Sequence, residues 1–297
     1  MSAMKVIISI PAFNESKSIG NVIEDIKRVM KTTKYECAVQ VVDDGSTDDT
    51  ADVARKAGAV VVVHPYNAGL AETFRTEIRQ FLETKADVFV HIDADGQYDA
   101  ADIPRLVAEV EKGYDLVLGN RFAGGIESMP LMKKLGNKLF SRAISKIVRY
   151  NVEDCQTGFR AFNRRVARDI DIISDHTYTQ EQIIKAVRKK MKIGEVPTVF
   201  RRRKDGESRL LRNPFEYAIR AWINLFRIYR DYNPLKFFGR IGAFFITLGL
   251  MIGIWVLYLF FKTGKVGHLP ATILTGLLII AGVQIIIFGF LADMNKK

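Results

Sequence analysis

The sequence predicts an α/β domain built on a mostly parallel sheet, followed by two membrane-spanning helices. Three observations carry this. Short Val/Ile-rich runs alternate with segments of helical periodicity, acidic turns close two of those runs, and two long stretches near the end carry no charge. At 297 residues the chain accommodates one large domain and a smaller part.

The elements follow in order. Val6–Ile10 reads as a buried strand, too short an apolar run for a signal peptide, so the main domain is expected in the cytosol. Ile19, Val22, Ile23, Ile26, Val29 and Met30 recur with helical spacing. Ala38–Val42 is the second strand, closed by the turn Asp43-Asp44-Gly45-Ser46-Thr47. A helix is expected from Asp48, with Thr47 as its cap. Val60–Val63 is a third strand, 68–83 a helix, Val88–Ile92 a fourth strand, and Leu116–Leu118 a fifth after another helix. Apolar strands separated by helices imply a parallel sheet covered on both faces. Ligands bind beyond the carboxyl ends of such strands, where Asp43-Asp44 and Asp93-Ala94-Asp95 both fall.

Two amphipathic helices follow. From Lys134 the charges Lys134, Lys138, Arg142, Lys146 and Arg149 step along one face, and Leu135, Leu139, Ala143, Ile144, Ile147 and Val148 line another. Such a helix packs on a core or lies in a membrane interface. Pro214–Tyr232 has a narrow polar stripe amid aromatic and aliphatic residues, the pattern of an interface helix. The stretches 241–261 and 269–292 carry no charge and are long enough to cross ~30 Å of hydrocarbon as a hairpin. Lys and Arg are denser at their outer ends than in the link, which places the large domain in the cytoplasm. The expected division is therefore 1–212 catalytic domain, 213–236 interface helix and 237–297 membrane hairpin.

The net charge of +11 is concentrated. Arg188–Arg240 holds fifteen Lys or Arg against five acids and leads into the first span, as expected for contact with anionic lipid and phosphate. No zinc-finger spacing or arginine-rich tail points to a nucleic acid. Cys37 and Cys155 stand far apart with no C-x-x-C, which suggests neither a zinc site nor a disulfide framework.

Asp93-Ala94-Asp95-Gly96-Gln97 is the most informative stretch. Two carboxylates at a strand end repel unless a hard divalent cation sits between them. A solvated acidic turn is the plain alternative, and an EF-hand loop fails because Tyr98 and Pro104 stand where Gly and Glu are needed. The motif has company. Pro11-Ala12-Phe13-Asn14-Glu15, Asp43-Asp44-Gly45-Ser46-Thr47, Gly119-Asn120-Arg121, Asp154-Cys155-Gln156-Thr157-Gly158-Phe159-Arg160, Glu195-Val196-Pro197 and Gly206-Glu207-Ser208-Arg209 flank it in order. Together, over about Lys5 to Arg212, they resemble the family-2 glycosyltransferases of GT-A fold. Within these the resemblance is to the polyprenyl- or dolichyl-phosphate hexose synthases.

That resemblance implies roles. Pro11, Phe13 and Glu15 would line the nucleoside pocket, and Val42 and Asp44 would contact base and ribose. Asp93, Ala94 and Asp95 would face the nucleotide sugar, with Asp95, Gln97 and Asp93 on Mg2+ or Mn2+. Arg121 would reach phosphate, and Arg203 and Arg209 would close over the diphosphate. The residues implied in the chemistry are thus Asp93, Asp95, Arg121 and Arg203. Lys133 or Lys134, with Ser141 and Asp154, would meet the acceptor phosphate; Asp154 reads equally as a turn residue. Asn120 and Arg209 depart from the commoner Ser and Lys, and neither change removes a charge. Arg201 and Arg202 read as lipid-facing charge, Asp43 as chiefly structural.

The implied partners are a nucleotide sugar (GDP-mannose first, UDP-glucose next), dolichyl or polyprenyl phosphate, and the bilayer; a homo-oligomer is left open. Preorganised positive charge would stabilise the departing nucleoside diphosphate. A lipid monophosphate, with a second pKa near ~6, needs no strong base. This suits a chain with four His residues and no evident His–carboxylate relay; His64 and His91 read as packing residues. In-line attack predicts inversion at the sugar carbon. A processive polysaccharide synthase of the same fold is the first rival, but no Gln-x-x-Arg-Trp string occurs and two spans make a poor channel. A silent nucleotide-binding membrane scaffold is the second, opposed by the intact charged set. A nicotinamide dehydrogenase is disfavoured because Gly-x-Gly-x-x-Gly is absent after the first strand.

Overall fold

The computed structural model describes residues 3–127, 129–173, 178–202, 223, 226–265 and 267–294. The chain divides into two compact units, Met1–Arg212 and Asn213–Lys297.

In the first unit seven strands form one sheet in the order β3-β2-β1-β4-β6-β5-β7. β1 (Lys5–Ala12), β2 (Glu36–Asp43), β3 (Val60–Val63) and β4 (Val88–His91) run parallel, joined by α1 (Ile19–Met30), α2 (Thr50–Lys56) and α3 (Leu70–Glu83). Helix α1 shows why the pattern folds this way. Its Ile19, Val22, Ile23, Ile26 and Met30 fall on one face and join Val6, Ile8 and Ile10 of β1 in a common buried cluster. The remaining elements are α4 (Ile103–Glu111), β5 (Leu116–Asn120), α5 (Arg121–Gly124), α6 (Leu131–Val148), β6 (Arg160–Asn163), α7 (Arg164–Asp169), α8 (Tyr178–Arg188) and β7 (Ile193–Pro197).

The mostly parallel sheet expected from the sequence is present, with one reversal. β6 enters antiparallel between β4 and β5, and β7 pairs parallel with β5. Neither strand is an apolar run, so periodicity missed both.

Helix α2 corrects one expectation. It begins at Thr50, and Asp48 rather than Thr47 organises its start by accepting from Thr50 N (3.1 Å) and the Thr50 hydroxyl. Thr47 N instead donates to Asn14 Oδ1 at 2.8 Å. In α6 the expected apolar face is split. Phe140, Ser141, Ile144 and Val148 are buried, whereas Leu131, Met132, Leu135 and Leu139 face outward with 83%, 75%, 55% and 54% exposure.

The second unit contains α9 (Pro234–Thr263) and α10 (Leu269–Met294), helices of 30 and 26 residues with mean hydropathy of 2.3 and 2.5 over their most apolar windows. Both are long and apolar enough to cross a membrane. Glycines let their backbones approach: a Cβ on Gly282 would lie 2.7 Å from Gly242 O and 2.6 Å from Ile246 Cγ1. Residues 226–232 are helical; most of the expected interface helix Pro214–Tyr232 lies outside the described residues.

Candidate active site

Parallel pairing sets the carboxyl ends of β1, β2 and β4 side by side, with Ala12 opposite Asp43 and Ser9 opposite His91. The loops leaving them enclose a cleft of about 290 Å³. Pro11, Phe13, Glu15, Asp44, Asp93, Ala94 and Asp95 line it, all expected from the motifs. Asn67, Leu70 and Thr73 also line it, and sequence reasoning missed them. Asn67 comes from the β3–α3 loop and Leu70 and Thr73 from the first turn of α3; no charged motif marks them, and the cue is the turn-forming Asn-Ala-Gly. Val42 is fully buried in β2, and Gln97 and Arg121 stand off this cleft.

The loops after β1 and β2 are bound to each other. Asn14, at φ 54°, receives no β-branched penalty and donates its N–H to Ser46 Oγ at 2.9 Å. Glu15 N donates to Thr50 Oγ1 at 2.9 Å. Asp43 accepts from Ser46 N at 3.0 Å and from the Ser46 hydroxyl, a turn-forming role as expected. Asp44 has a fuller part than the resemblance implied. Its carboxylate accepts from Ala68 N (2.9 Å) and Gly69 N (2.8 Å) and meets His64 Nδ1 at 2.8 Å, so it shapes the loop carrying Asn67.

The two histidines, expected as packing residues, are hydrogen-bonded as well, and His91 also packs on the rings of Phe74 and Tyr178. His64 bridges Asp44 and Thr76. His91, fully buried in β4, meets Glu77 Oε2 through Nδ1 at 2.9 Å and Tyr178 Oη through Nε2 at 2.7 Å. The same Glu77 accepts from the Ser9 hydroxyl at 2.8 Å, and Gln40 Nε2 donates to Ser9 Oγ at 2.8 Å. Glu77 is fully buried, so each bond offsets a desolvation cost that the lone carboxylate could not sustain. This network lies beneath Asp93, whose Oδ1 is 3.8 Å from His91 Nε2.

Burial pushes the Asp93 carboxyl up, helped by the Glu77 charge and opposed by His91 and Arg121. A cation at this carboxylate would reverse that shift. Asp95 accepts from Gln97 N at 3.1 Å, and Gln97 Nε2 donates to Arg201 O at 3.1 Å, which leaves the amide oxygen as the end available to a cation. Among the described residues no three His, Cys, Asp or Glu side chains cluster as a metal cage. Two carboxylates and one amide oxygen are a hard, incomplete donor set. They fit Mg2+ or Mn2+ completed by water and phosphate oxygens.

Arg121, at the start of α5, is buried and gripped by Asp154: Nε to Oδ2 at 2.7 Å, Nη2 to Oδ1 at 2.8 Å, and its own N–H to Oδ2 at 3.2 Å. Burial opposes its charge, but Tyr98, Asp154 and Asp93 outweigh that and hold its pKa above the ordinary arginine value. Asp154 is fully buried and its carboxylate accepts from Arg121 through both oxygens, while Ser141 is buried and accepts from Cys155 N at 3.1 Å. The Lys133 pKa is lowered by burial and by Arg121, against an upward pull from Asp95. Arg201 is tied to the acidic loop, since its N–H donates to Gln97 O at 2.7 Å and its guanidinium pairs with Asp99. Arg203 and Arg209 lie outside the described residues.

The Glycosyl transferase family 2 model matches residues 7–171. Glycosyltransferase AglJ of Haloferax volcanii is 30% identical across 97% of this chain and 93% of its own length. A dolichyl-phosphate hexose transferase of the same organism is 34% identical over 68% of this chain and 84% of its own. The dolichol-phosphate mannosyltransferase of Pyrococcus furiosus is 29% identical over 90% and 76%. Among solved structures, glucosyl-3-phosphoglycerate synthase from Mycobacterium tuberculosis, in complex with Mn2+, UDP and glucosyl-3-phosphoglycerate, superposes with a TM-score of 0.58. It is 21% identical and the match covers 75% of this chain and 80% of that one, a likeness of fold. The matched residues span the sheet from β1 through β6 and include both acidic strand ends, so the chain belongs to glycosyl transferase family 2 and has its GT-A fold.

Proposed function

We propose that this chain transfers a hexose from a nucleotide sugar to the phosphate of dolichol or a related polyprenol, with inversion at the sugar carbon. The observation that carries the reading is the acidic end of β4 on the wall of a nucleoside-sized cleft, in a chain that also has two span-length apolar helices. The names of the Haloferax and Pyrococcus relatives support the acceptor. GDP-mannose is the first donor to test and UDP-glucose the next.

In this reading Phe13, Asp44 and the Asn67 loop hold the nucleoside, and Asp93 orients the sugar. Asp95 and Gln97, with Asp93, hold Mg2+ or Mn2+; the Mn2+ in the fold neighbour's complex supports that choice. When bound, the ion would neutralise charge growing on the departing diphosphate. Arg121, fixed by Asp154, adds preorganised positive charge, and Arg203 and Arg209 are expected to close over the diphosphate. Of the two lysines proposed for the acceptor phosphate, Lys133 is favoured because its ammonium responds to Asp95 and Arg121.

The exposed Leu131, Met132, Leu135 and Leu139 of α6, beside Lys134 and Lys138, suit contact with an anionic bilayer. We assign residues 213–236 to the membrane interface from their sequence and 237–297 to a membrane hairpin, with the catalytic unit on the cytoplasmic side. The test is a panel of GDP-mannose, UDP-glucose and other nucleotide sugars with dolichyl and undecaprenyl phosphate, using purified full-length protein and Mg2+ or Mn2+. A lipid-phosphate-linked hexose is the expected product. Transfer only to non-lipid acceptors, or none with any pair, overturns the reading.

A further inference from the structure

Glu195 and Asn120 form a hydrogen-bonded cradle beside the Arg121–Asp154 pair. Glu195, on β7, accepts through Oε1 from the backbone N–H groups of Glu153 (2.9 Å) and Asp154 (3.3 Å). Its other oxygen receives Asn120 Nδ2 at 3.3 Å, and the same Nδ2 donates to Glu153 Oε2 at 2.8 Å. Asn120 Oδ1 meanwhile accepts from Phe122 N and Ala123 N, both at 3.0 Å, which caps the short helix that begins with Arg121. One amide thus fixes the start of α5, and one carboxylate fixes the 153–154 turn. Arg121 and Asp154, the two residues so held, are paired bidentately.

The departure from the commoner Ser at position 120 acquires a reason here. A serine hydroxyl could cap α5, but it could not also bridge two carboxylates. The bridge is needed because Glu153 and Glu195 are like charges at close quarters. Burial, with the Glu153 and Asp154 charges, pushes the Glu195 carboxyl up, while the Glu153 and Asp154 backbone N–H groups pull it down.

We infer that Glu195 and Asn120 are positioning residues, which act on glycosyl transfer only by fixing the Arg121–Asp154 pair. This rests on the placement of Arg121 in the active site proposed above. Asn120 bonds the backbone that follows Arg121 and Glu195 bonds the backbone of Asp154, so their effect on the reaction passes through that pair. A displacement of about 1 Å in such a group costs on the order of 100-fold in rate.

The test is a double-mutant cycle on the purified full-length protein. Glu195→Ala is expected to lower kcat by on the order of 10- to 100-fold with donor KM within about twofold, and Asn120→Ser to act less strongly in the same direction. In an Arg121→Lys background, Glu195→Ala is expected to change kcat by less than about twofold. Equal losses in both backgrounds overturn the inference. Glu195→Gln keeps the two accepted backbone bonds but sets an amide donor against Asn120; it serves as the second variant if the alanine form does not fold. The cycle is also read by calorimetric binding of GDP and UDP with Mg2+. If the wild type transfers no hexose to lipid phosphate, the functional reading falls; a loss of GDP or UDP affinity of more than about twofold on Glu195→Ala in the Arg121→Lys background would overturn this inference separately.

Discussion

Gly158 lies directly against the carboxylate of Asp93: a Cβ built on it would sit 3.0 Å from both Oδ1 and Oδ2. The contact is steric rather than conformational, since Gly158 is not among the positive-φ glycines. Gly158→Ala is therefore expected to fold normally and to displace the Asp93 carboxylate by a few tenths of an ångström. Transfer should fall by on the order of 10- to 100-fold while Tm moves by only a few degrees. Wild-type turnover in purified G158A would show that the Asp93 position does not matter to the reaction.

That contact joins residues 65 positions apart, which marks the limit of what the sequence displays. β1 to β5 are legible because each carries a short apolar run set between helical segments. β6 is the four residues Arg-Ala-Phe-Asn, and its Arg160 is fully buried because tertiary neighbours accept its protons: Thr157 O, Thr179 O and Gln182 Oε1. β7 contains Gly194 and Pro197, which weaken any strand signal. The acidic turns and Asp93-Ala94-Asp95 were legible because their chemistry is contiguous. The Glu77–His91–Tyr178 network was not, since its partners lie 14 and 87 residues apart and share no period. Histidines inside strands then look like packing until those partners are placed.

Asp95→Ala tests the metal assignment separately from the fold. Asp95 is half-buried and accepts from the neighbouring Gln97 N–H at 3.1 Å. Activity should fall at least about 100-fold and Mn2+ binding, read by electron paramagnetic resonance, should weaken with it. Unchanged Mn2+ affinity would remove Asp95 from the ligand set.

Leu135 and Leu139 of α6 are more than half exposed beside Lys134 and Lys138. If the face meets lipid, Leu135→Asp with Leu139→Asp should raise the apparent KM for polyprenyl phosphate in anionic vesicles several-fold and leave soluble-nucleotide binding unchanged. Burying one leucine side chain is worth about 1.5–3 kcal/mol, so two such changes suffice for a measurable effect. An unaltered KM in vesicles would assign α6 no lipid contact.

Tyr98 ties the acidic loop to the 157–158 turn: its Oη lies 3.2 Å from Thr157 Oγ1 and accepts from Gly158 N at 3.3 Å. Its phenol is pushed up to about 12, by burial first and by the Asp93 and Asp154 charges next, against Arg121. The folded protein therefore holds this proton more tightly than the unfolded chain, whose tyrosine titrates near ~10. Stability from this group is fully present below pH ~10 and is lost as pH rises through about 12, by roughly 1–3 kcal/mol. Tyr98→Phe removes that term. The difference in unfolding free energy between wild type and Y98F should thus be constant up to pH ~10 and should then shift in favour of Y98F. Parallel profiles across pH 9 to 12 in chemical denaturation would show that Tyr98 titrates alike in both states, and that the acidic loop is open to water at its base.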